Sequence, residues 1–149
     1  MVFATEAAVT IFWEQLLGSG SDSRSLAGVK VAAVGADAAA ALLSRGIAID
    51  VIPPGFTSRA LIDTLAARDD IAGSLLLIQP EGFDAEVEDG LSGAGAQVTS
   101  IAVYRGIPDE RRVRRMRRAL ERERIDAVIF TSQPDARAFL ALAGEDLAL

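Results

Sequence analysis

Residues 26–46 contain a complete strand, turn and helix, and they constrain the fold more than any other part of the chain. Residues 29–34 are an apolar run rich in valine, which is typical of a strand covered on both faces. Gly35 interrupts this run, and the alanine-rich segment after it ends at Gly46, a residue type that often closes helices in a left-handed conformation. Residues 47–52 are apolar again. Two buried strands joined by a helix form a βαβ unit, so we expect a parallel sheet.

The same alternation of strand and helix continues along the whole chain. Further strands are predicted at residues 1–5, 75–79, 97–104 and 127–130, and further helices at 6–17, 59–68, 83–91, 109–124 and 135–143. The first strand is expected to be incomplete. Residues 106–108, Gly-Ile-Pro, form a candidate hinge, so we expect one α/β domain over residues 1–105 and the beginning of a second over 109–149.

The composition excludes several classes of chemistry. The 149 residues include neither cysteine nor histidine, which removes disulfides, thiol nucleophiles and thiolate metal sites. Proton transfer would have to use Tyr104, a carboxylate, water or groups of the substrate. The net charge of −6 argues against a nucleic-acid partner. No apolar run approaches the roughly 20 residues that span a bilayer, so we expect a soluble, cytoplasmic protein without a membrane partner.

Polar and small residues recur where the predicted strands end and the next helices begin. In a parallel sheet these junctions share one edge, at which helix N-termini favour anionic groups. The residues at these junctions are Thr5, Glu6, Gly35, Ala36, Asp37, Thr57, Ser58, Glu81, Gly82, Thr131 and Ser132. Any one of them is explained equally well as a helix cap, and Asp37 is expected to cap or charge the start of its helix. Together they predict an anion-binding edge.

Two other patterns are weaker. The Gly-Ser-rich residues 18–23 follow a helix rather than a strand, which favours a linker over a phosphate-binding loop. Gly35 resembles the start of a dinucleotide fingerprint, but Asp37 and Ala40 occupy the second and third glycine positions. A nucleotide-binding half-domain is therefore kept only as a third alternative.

The segment 109–124 holds eight arginines and four acidic residues, a local net charge of +4. Val113, Met116 and Leu120 repeat at helical spacing, which predicts an amphipathic helix with arginines on its outer face. This face is either an anion-binding surface or a solvated surface with partial charge compensation. The interleaved glutamates and the absence of aromatic residues favour the second interpretation.

The order of motifs resembles the uroporphyrinogen-III synthase family. Residues 3–9 (FATEAAV) are similar to its first Phe-Thr-Ser turn, residues 26–46 to its Val-Gly unit, and residues 130–136 (FTSQPDA) to its second Phe-Thr-Ser element. Phe-Thr-Ser at 56–58 and Val-Tyr-Arg at 103–105 follow in the family's order. The order and spacing of these motifs over nearly the whole chain carry the resemblance.

The resemblance implies two doubly wound, mostly parallel, flavodoxin-like α/β domains. Residues 1–105 would form most of one domain, and residues 109–149 would form the beginning of the other. It also implies a hydro-lyase that closes the linear tetrapyrrole hydroxymethylbilane to uroporphyrinogen III, inverting the last pyrrole ring and losing water, without metal or cofactor. Unpaired sheet edges in such a shortened chain would favour self-association.

The resemblance assigns roles to several residues. Tyr104 matches the family's cleft tyrosine and would assist departure of the substrate hydroxyl, although without the resemblance it would be interpreted as an aromatic packing at a strand end. Thr5 and Ser132 would contact substrate carboxylates. Ala38 stands where the family usually has a threonine, so only its backbone N–H could contact the substrate. Glu81 would repel an acidic substrate. These departures favour the alternative of a non-catalytic tetrapyrrole-binding or regulatory module.

Overall fold

A computed structural model of the chain describes residues 1–55, 57–68, 73–122, 125–130 and 133–143. The chain divides into two compact units, Met1–Arg105 and Gly106–Leu149. The boundary lies beside the Gly-Ile-Pro segment at 106–108. That this segment acts as a hinge between two related domains stays a prediction.

The first unit contains a parallel four-stranded sheet flanked by helices. Its strands are β1 (Val2–Phe3), β2 (Ala32–Ala33), β3 (Ser74–Pro80) and β4 (Gln97–Tyr104), and its helices are α1 (Glu6–Gly18), α2 (Ala36–Leu43), α3 (Ser58–Ala66) and α4 (Ala85–Gly93). The strand order is β2-β1-β3-β4, and every pair is parallel. The predicted α/β class and parallel pairing are confirmed.

Helices cover both faces of the sheet, so the unit is doubly wound as predicted. Neighbouring residues of a strand point to opposite faces. Phe3 and Ile78 accordingly pack with α1 and α2 in one core, whereas Val2 and Leu77 pack with α3 and α4 in the other. All four side chains are buried. The two cores hold the helices so that their N-termini follow the carboxyl ends of the strands.

Helix α2 forms much as the alanine-rich sequence predicts. Ala38, Ala39 and Ala41 are buried, which lets the helix lie close to the sheet. Gly46 has a positive φ of 72°, and Ile47 N–H donates to the carbonyl of Leu42 at 3.1 Å. The helix therefore ends with the left-handed glycine expected from the sequence.

The predicted strands at 29–34 and 47–52 are much shorter in the structure. Only Ala32–Ala33 forms β2, and residues 47–52 contribute a single parallel bridge from Val51 to Ala32. At residues 47–52 the carboxylate of Asp50 accepts the Val31 N–H at 2.8 Å in place of a strand carbonyl. A side chain thus replaces part of the backbone ladder. On its other side β2 pairs with β1 only along the two residues of β1.

The second unit contains two described helices, α5 (Glu110–Glu121) and α6 (Gln133–Ala143). The guanidinium of Arg117 donates to the carbonyl of Leu142 at 2.8 Å and ties the two helices together. The strand predicted at 127–130 does not form. A strand needs a ladder partner, and the described residues of this unit include no other strand. Phe130 instead packs edge-on against Phe139, with ring centroids 5.2 Å apart.

Asp50 should make stability depend on pH. Lys30 and the Val31 N–H both bond to its carboxylate and lower the pKa of Asp50 below its usual value. The stabilisation is complete above the unfolded-state pKa of about 3.9 and is lost as pH falls through the lower folded-state pKa. Asp50→Asn keeps a carbonyl acceptor without charge. We expect its unfolding free energy, measured by urea titration, to fall less on acidification than that of the wild type. Parallel curves would contradict this assignment.

Gly90 of α4 marks a close approach of two helices. A Cβ at this position would lie 2.6 Å from Cδ1 and 3.0 Å from Cγ1 of Ile62 in α3. Gly90→Ala should therefore destabilise the wild type, because overpacking of about 1–3 kcal/mol outweighs a helix-propensity gain of about 1 kcal/mol. In an Ile62→Ala background the same change should stabilise the protein. Chemical denaturation of the four variants tests this reversal of sign, and a stabilising Gly90→Ala in both backgrounds would refute it.

Candidate functional site

The carboxyl ends of the strands in the first unit share one edge of the sheet. Each of α1, α2 and α4 begins three to five residues after a strand. This edge carries the junction residues singled out in the sequence between Thr5 and Gly82, and it is where α/β proteins of this kind bind ligands.

The central contact of this edge joins Thr5 to Tyr104. Thr5 follows β1 and Tyr104 ends β4, with β3 lying between these two strands. Nevertheless, Thr5 Oγ1 and Tyr104 Oη lie 3.1 Å apart. The tyrosine packs against the core under α1 and α2, and its hydroxyl reaches the second residue after β1. The structure therefore brings together two predicted site residues that are 99 positions apart.

Thr5 has a second role at the start of α1. Its Oγ1 accepts the backbone N–H of Ala8 at 3.1 Å and thereby caps the helix. The threonine oxygen consequently interacts with both a helix N-terminus and a phenol. The carboxylate contact implied for Thr5 by the family resemblance would have to compete with these two partners.

The loop after β3 fixes the backbone of the tyrosine. Glu81 N–H donates to the carbonyl of Tyr104 at 2.8 Å, and Gly82 turns the chain with a φ of 73°. The Glu81 side chain is exposed. Sequence reasoning assigned no role to Gln79, which lies near the end of β3. Its side-chain Oε1 is buried and has no hydrogen-bond partner among the described residues, and the only signal in the sequence is an amide near the end of an apolar strand.

Side chains cap three of the four helices of this unit, and α2 is the exception. The Thr57 side chain accepts the Ala60 N–H at the start of α3. The Asp84 side chain accepts the Glu86 N–H at the start of α4. The N-cap residue of α2 is Gly35, which has a φ of 88° and provides no side-chain acceptor. The first N–H groups of α2 thus have no side-chain acceptor and are suited to an anion.

Asp37 and Ala38 do not cap α2. Asp37 lies exposed in the first turn, so it charges the start of the helix, and the capping role allowed for it in the sequence is wrong. The side chain of Ala38 is buried in the core, which leaves only its N–H for a ligand. Ala36 precedes both in the same turn.

Ser58 joins two helix starts on the other side of the sheet. Its hydroxyl donates to the carboxylate of Asp84 at 2.5 Å, which connects the start of α3 to that of α4. Thr57 beside it is exposed. The predicted site residues Thr131 and Ser132, and Phe56 of the middle Phe-Thr-Ser motif, lie outside the described residues.

The charge of the edge is mixed. Glu6 and Asp37 line a groove of about 300 Å³ between α1 and α2, which also includes the guanidinium-bearing Arg45. A second cavity of about 300 Å³ lies at the opposite edge of the sheet, where Met1, Lys30 and Leu75 contribute to its wall. This second cavity contains none of the predicted site residues. The chemistry therefore has to be assigned from the Thr5–Tyr104 contact and not from cavity size.

The arginines of α5 fall into two groups. Arg112 and Arg114 pair with acidic residues one turn earlier, at 3.6 and 3.2 Å, and Arg117 bonds to α6. The guanidinium groups of four further arginines have no ion-pair or hydrogen-bond partner among the described residues, and these arginines repeat at spacings of four, three and four: Arg111, Arg115, Arg118 and Arg122. This spacing places them along one stripe of the helix. The interpretation of this stripe as a solvated surface stays a prediction.

Within the parts of the chain that the structure covers, no three metal-binding side chains cluster in a way that could hold an ion. Over the same residues, no helix has both the length and the apolar character needed to cross a bilayer.

A family comparison agrees with this fold. The profile described as uroporphyrinogen-III synthase HemD matches residues 1–148. The chain belongs to the uroporphyrinogen-III synthase family. This confirms the resemblance identified from the order of the sequence motifs.

Solved uroporphyrinogen III synthases share this architecture. The wild-type enzyme from the extremely thermophilic bacterium Thermus thermophilus is 27% identical, with a TM-score of 0.67 over 97% of this chain and 56% of that chain. A selenomethionine-substituted mutant of the same enzyme is 28% identical, with a TM-score of 0.67 over 84% of this chain and 48% of that one. The present chain thus spans about half the length of these solved synthases.

The contact between Thr5 and Tyr104 should be measurable as a coupling free energy. Thr5→Val removes both the cap of α1 and this contact, whereas Tyr104→Phe removes only the phenolic hydroxyl. We expect the double-mutant cycle, measured by chemical denaturation, to give a coupling of about 0.5–1.5 kcal/mol.

Thr57→Val is the matched control for this cycle. Thr57 caps α3 with the same 3.1 Å bond, but α3 packs in the other core and Thr57 has no hydrogen bond to Tyr104 among the described residues. Its loss should cost about 1 kcal/mol and add independently to Tyr104→Phe. Equal coupling free energies in the Thr5–Tyr104 and Thr57–Tyr104 cycles would show that the hydrogen bond between Thr5 and Tyr104 does not stabilise the fold.

Proposed function

We propose that the chain contributes to closure of hydroxymethylbilane to uroporphyrinogen III, with inversion of the last pyrrole ring and loss of water. Family membership over residues 1–148 supports this proposal, and the observation that carries it is the Tyr104 hydroxyl placed beside Thr5 at the carboxyl edge of the sheet. Because the chain spans about half of the solved synthases, the activity belongs to this chain either alone, self-associated or together with further polypeptide. A cytoplasmic location is part of the same proposal.

The proposed chemistry fits a chain without histidine or cysteine. The C–O bond of the hydroxymethyl group breaks, and its electron pair stays on oxygen. The electron-rich pyrrole donates electron density to the carbon that is left electron-deficient. Tyr104 donates its phenolic proton to the departing oxygen, which leaves as water. The protein otherwise has to hold and orient the substrate, which requires neither a metal nor a cofactor.

The eight carboxylates of hydroxymethylbilane need positive partners. The uncapped N–H groups of Ala36, Asp37 and Ala38 at the start of α2 are suited to one of them. The exposed carboxylates of Glu6 and Glu81 oppose binding at the same edge. We therefore expect substrate affinity to depend on a few backbone donors and to be weakened by these acids.

A non-catalytic tetrapyrrole-binding or regulatory module is the second candidate. It is favoured by the half-length coverage of the solved synthases and by the acidic side chains at the edge. Such a module would bind a linear tetrapyrrole without directing ring closure.

The product isomer separates the two candidates. Purified chain is incubated with hydroxymethylbilane, and the ratio of type III to type I uroporphyrinogen is measured, because uncatalysed closure gives type I. We expect type III in excess. Type I alone from a chain shown to be folded would contradict catalysis by this chain and favour the binding module.

Tyr104→Phe tests the proposed proton donor. It removes one oxygen while keeping the ring that packs against the core, so the fold should persist. We expect the rate of type III formation to fall by about 100-fold or more, as for loss of a general acid, with affinity for a non-cyclising octacarboxylate tetrapyrrole retained. An unchanged rate would remove Tyr104 from the site.

A further inference from the structure

The hydroxyl of Thr5 has a restricted set of partners. Its oxygen accepts the Ala8 N–H at 3.1 Å, which occupies one lone pair. Among the described residues, the only other polar atom within hydrogen-bond distance of it is Tyr104 Oη, also at 3.1 Å. Tyr104 Oη likewise has no other described partner. Geometry alone allows either hydroxyl to donate to the other.

The helix decides the direction of this bond. An oxygen that already accepts an N–H from a helix N-terminus is polarised by that donor and by the positive end of the helix dipole. Such an oxygen is a weaker acceptor for a second donor, and its own O–H is a stronger donor. This polarisation favours donation from Thr5 to the phenol oxygen, an arrangement that leaves the phenolic proton available at the open edge of the sheet.

We propose that Thr5 is a positioning residue that donates its hydroxyl proton to Tyr104 and so directs the phenolic proton toward a ligand. The chain of bonds runs from Ala8 N–H to Thr5 and from Thr5 to Tyr104. This role differs from the carboxylate contact that the family resemblance implies for Thr5, because both functions of its hydroxyl are used within the protein.

The consequence for catalysis rests on the proposed function. When Tyr104 gives its proton to the leaving hydroxyl, negative charge develops on the phenol oxygen. The Thr5 O–H points at this oxygen, and the N-terminus of α1 lies behind it, so both stabilise the phenolate until it is reprotonated. This interaction is stronger in the transition state than before it, and its loss should lower kcat more than it raises KM.

Three substitutions of Thr5 separate capping from proton donation. Thr5→Ser keeps the cap and the donor. Thr5→Asp keeps the cap, since aspartate is a good N-cap residue, but its carboxylate can only accept from the phenol. Thr5→Val loses both. Circular dichroism and denaturation curves confirm that each variant is folded, and the serine and aspartate variants guard against a Thr5→Val protein that does not fold.

The direction of the bond can be measured without any activity. Tyr104 is the only tyrosine in the chain, so the Raman Fermi doublet of tyrosine reports this phenol alone. The intensity of the higher-frequency component divided by that of the lower-frequency component rises when the phenol oxygen accepts a hydrogen bond. This ratio falls when the phenol O–H donates to a strong acceptor. We expect a high ratio in the wild type and Thr5→Ser, a lower one in Thr5→Val and the lowest in Thr5→Asp. A donor-type ratio in the wild type, or the same ratio in wild type and Thr5→Val, would overturn the proposal.

Kinetics test the catalytic consequence separately. With hydroxymethylbilane as substrate, Thr5→Ser should retain kcat for type III formation within about twofold, whereas Thr5→Asp and Thr5→Val should lose about tenfold or more with little change in KM. A Thr5→Asp enzyme as fast as the wild type would show that Thr5 only caps the helix. If the wild type forms type I alone, the proposed function fails, while the Raman ratios still decide the direction of the bond.

Discussion

The two-residue strand β1 holds the first unit together. It is hydrogen-bonded to β2 on one side and β3 on the other, and its two side chains enter different cores. Val2 and Phe3 are both buried, so the strand that connects the two halves of the sheet also connects the two hydrophobic cores. Because the next residues lie directly at the carboxyl edge, this strand places Thr5 and the start of α1 where a ligand can meet helix N-termini.

The architecture also explains how a site can form without histidine or cysteine. The long side chain of Tyr104 crosses the end of β3 and brings a hydroxyl to Thr5, whose own hydroxyl is polarised by α1. One uncapped helix, α2, offers N–H groups to an anion nearby. Exposed acids at the same edge oppose this attraction. The proposed proton transfer therefore rests on the Thr5–Tyr104 contact, and the proposed binding of a polycarboxylate rests on few donors.

Sequence reasoning succeeded where local pattern and fold agree. The strand predicted at 97–104 forms with those bounds because it pairs along its length with β3. The helix predicted at 6–17 forms as Glu6–Gly18, with Ala8 and Val9 buried. It failed where a strand depends on its partner. The segment 47–52 is reduced to one bridge because the Asp50 carboxylate takes an N–H of the ladder, and 127–130 has no strand beside it among the described residues.

The sequence by itself determined the α/β class, the alternation of strands and helices, and the parallel sheet. Through the order of its motifs it also determined the uroporphyrinogen-III synthase family. The fold class follows from apolar periodicity, which is a local property, and the family follows from the order and spacing of motifs along the chain. Only the tertiary structure decided that Thr5 meets Tyr104, that Asp50 replaces a ladder acceptor and that Gly90 lies against Ile62. Such contacts depend on strand register and on how far individual side chains reach, and residues up to 99 positions apart in sequence carry no local signal of either.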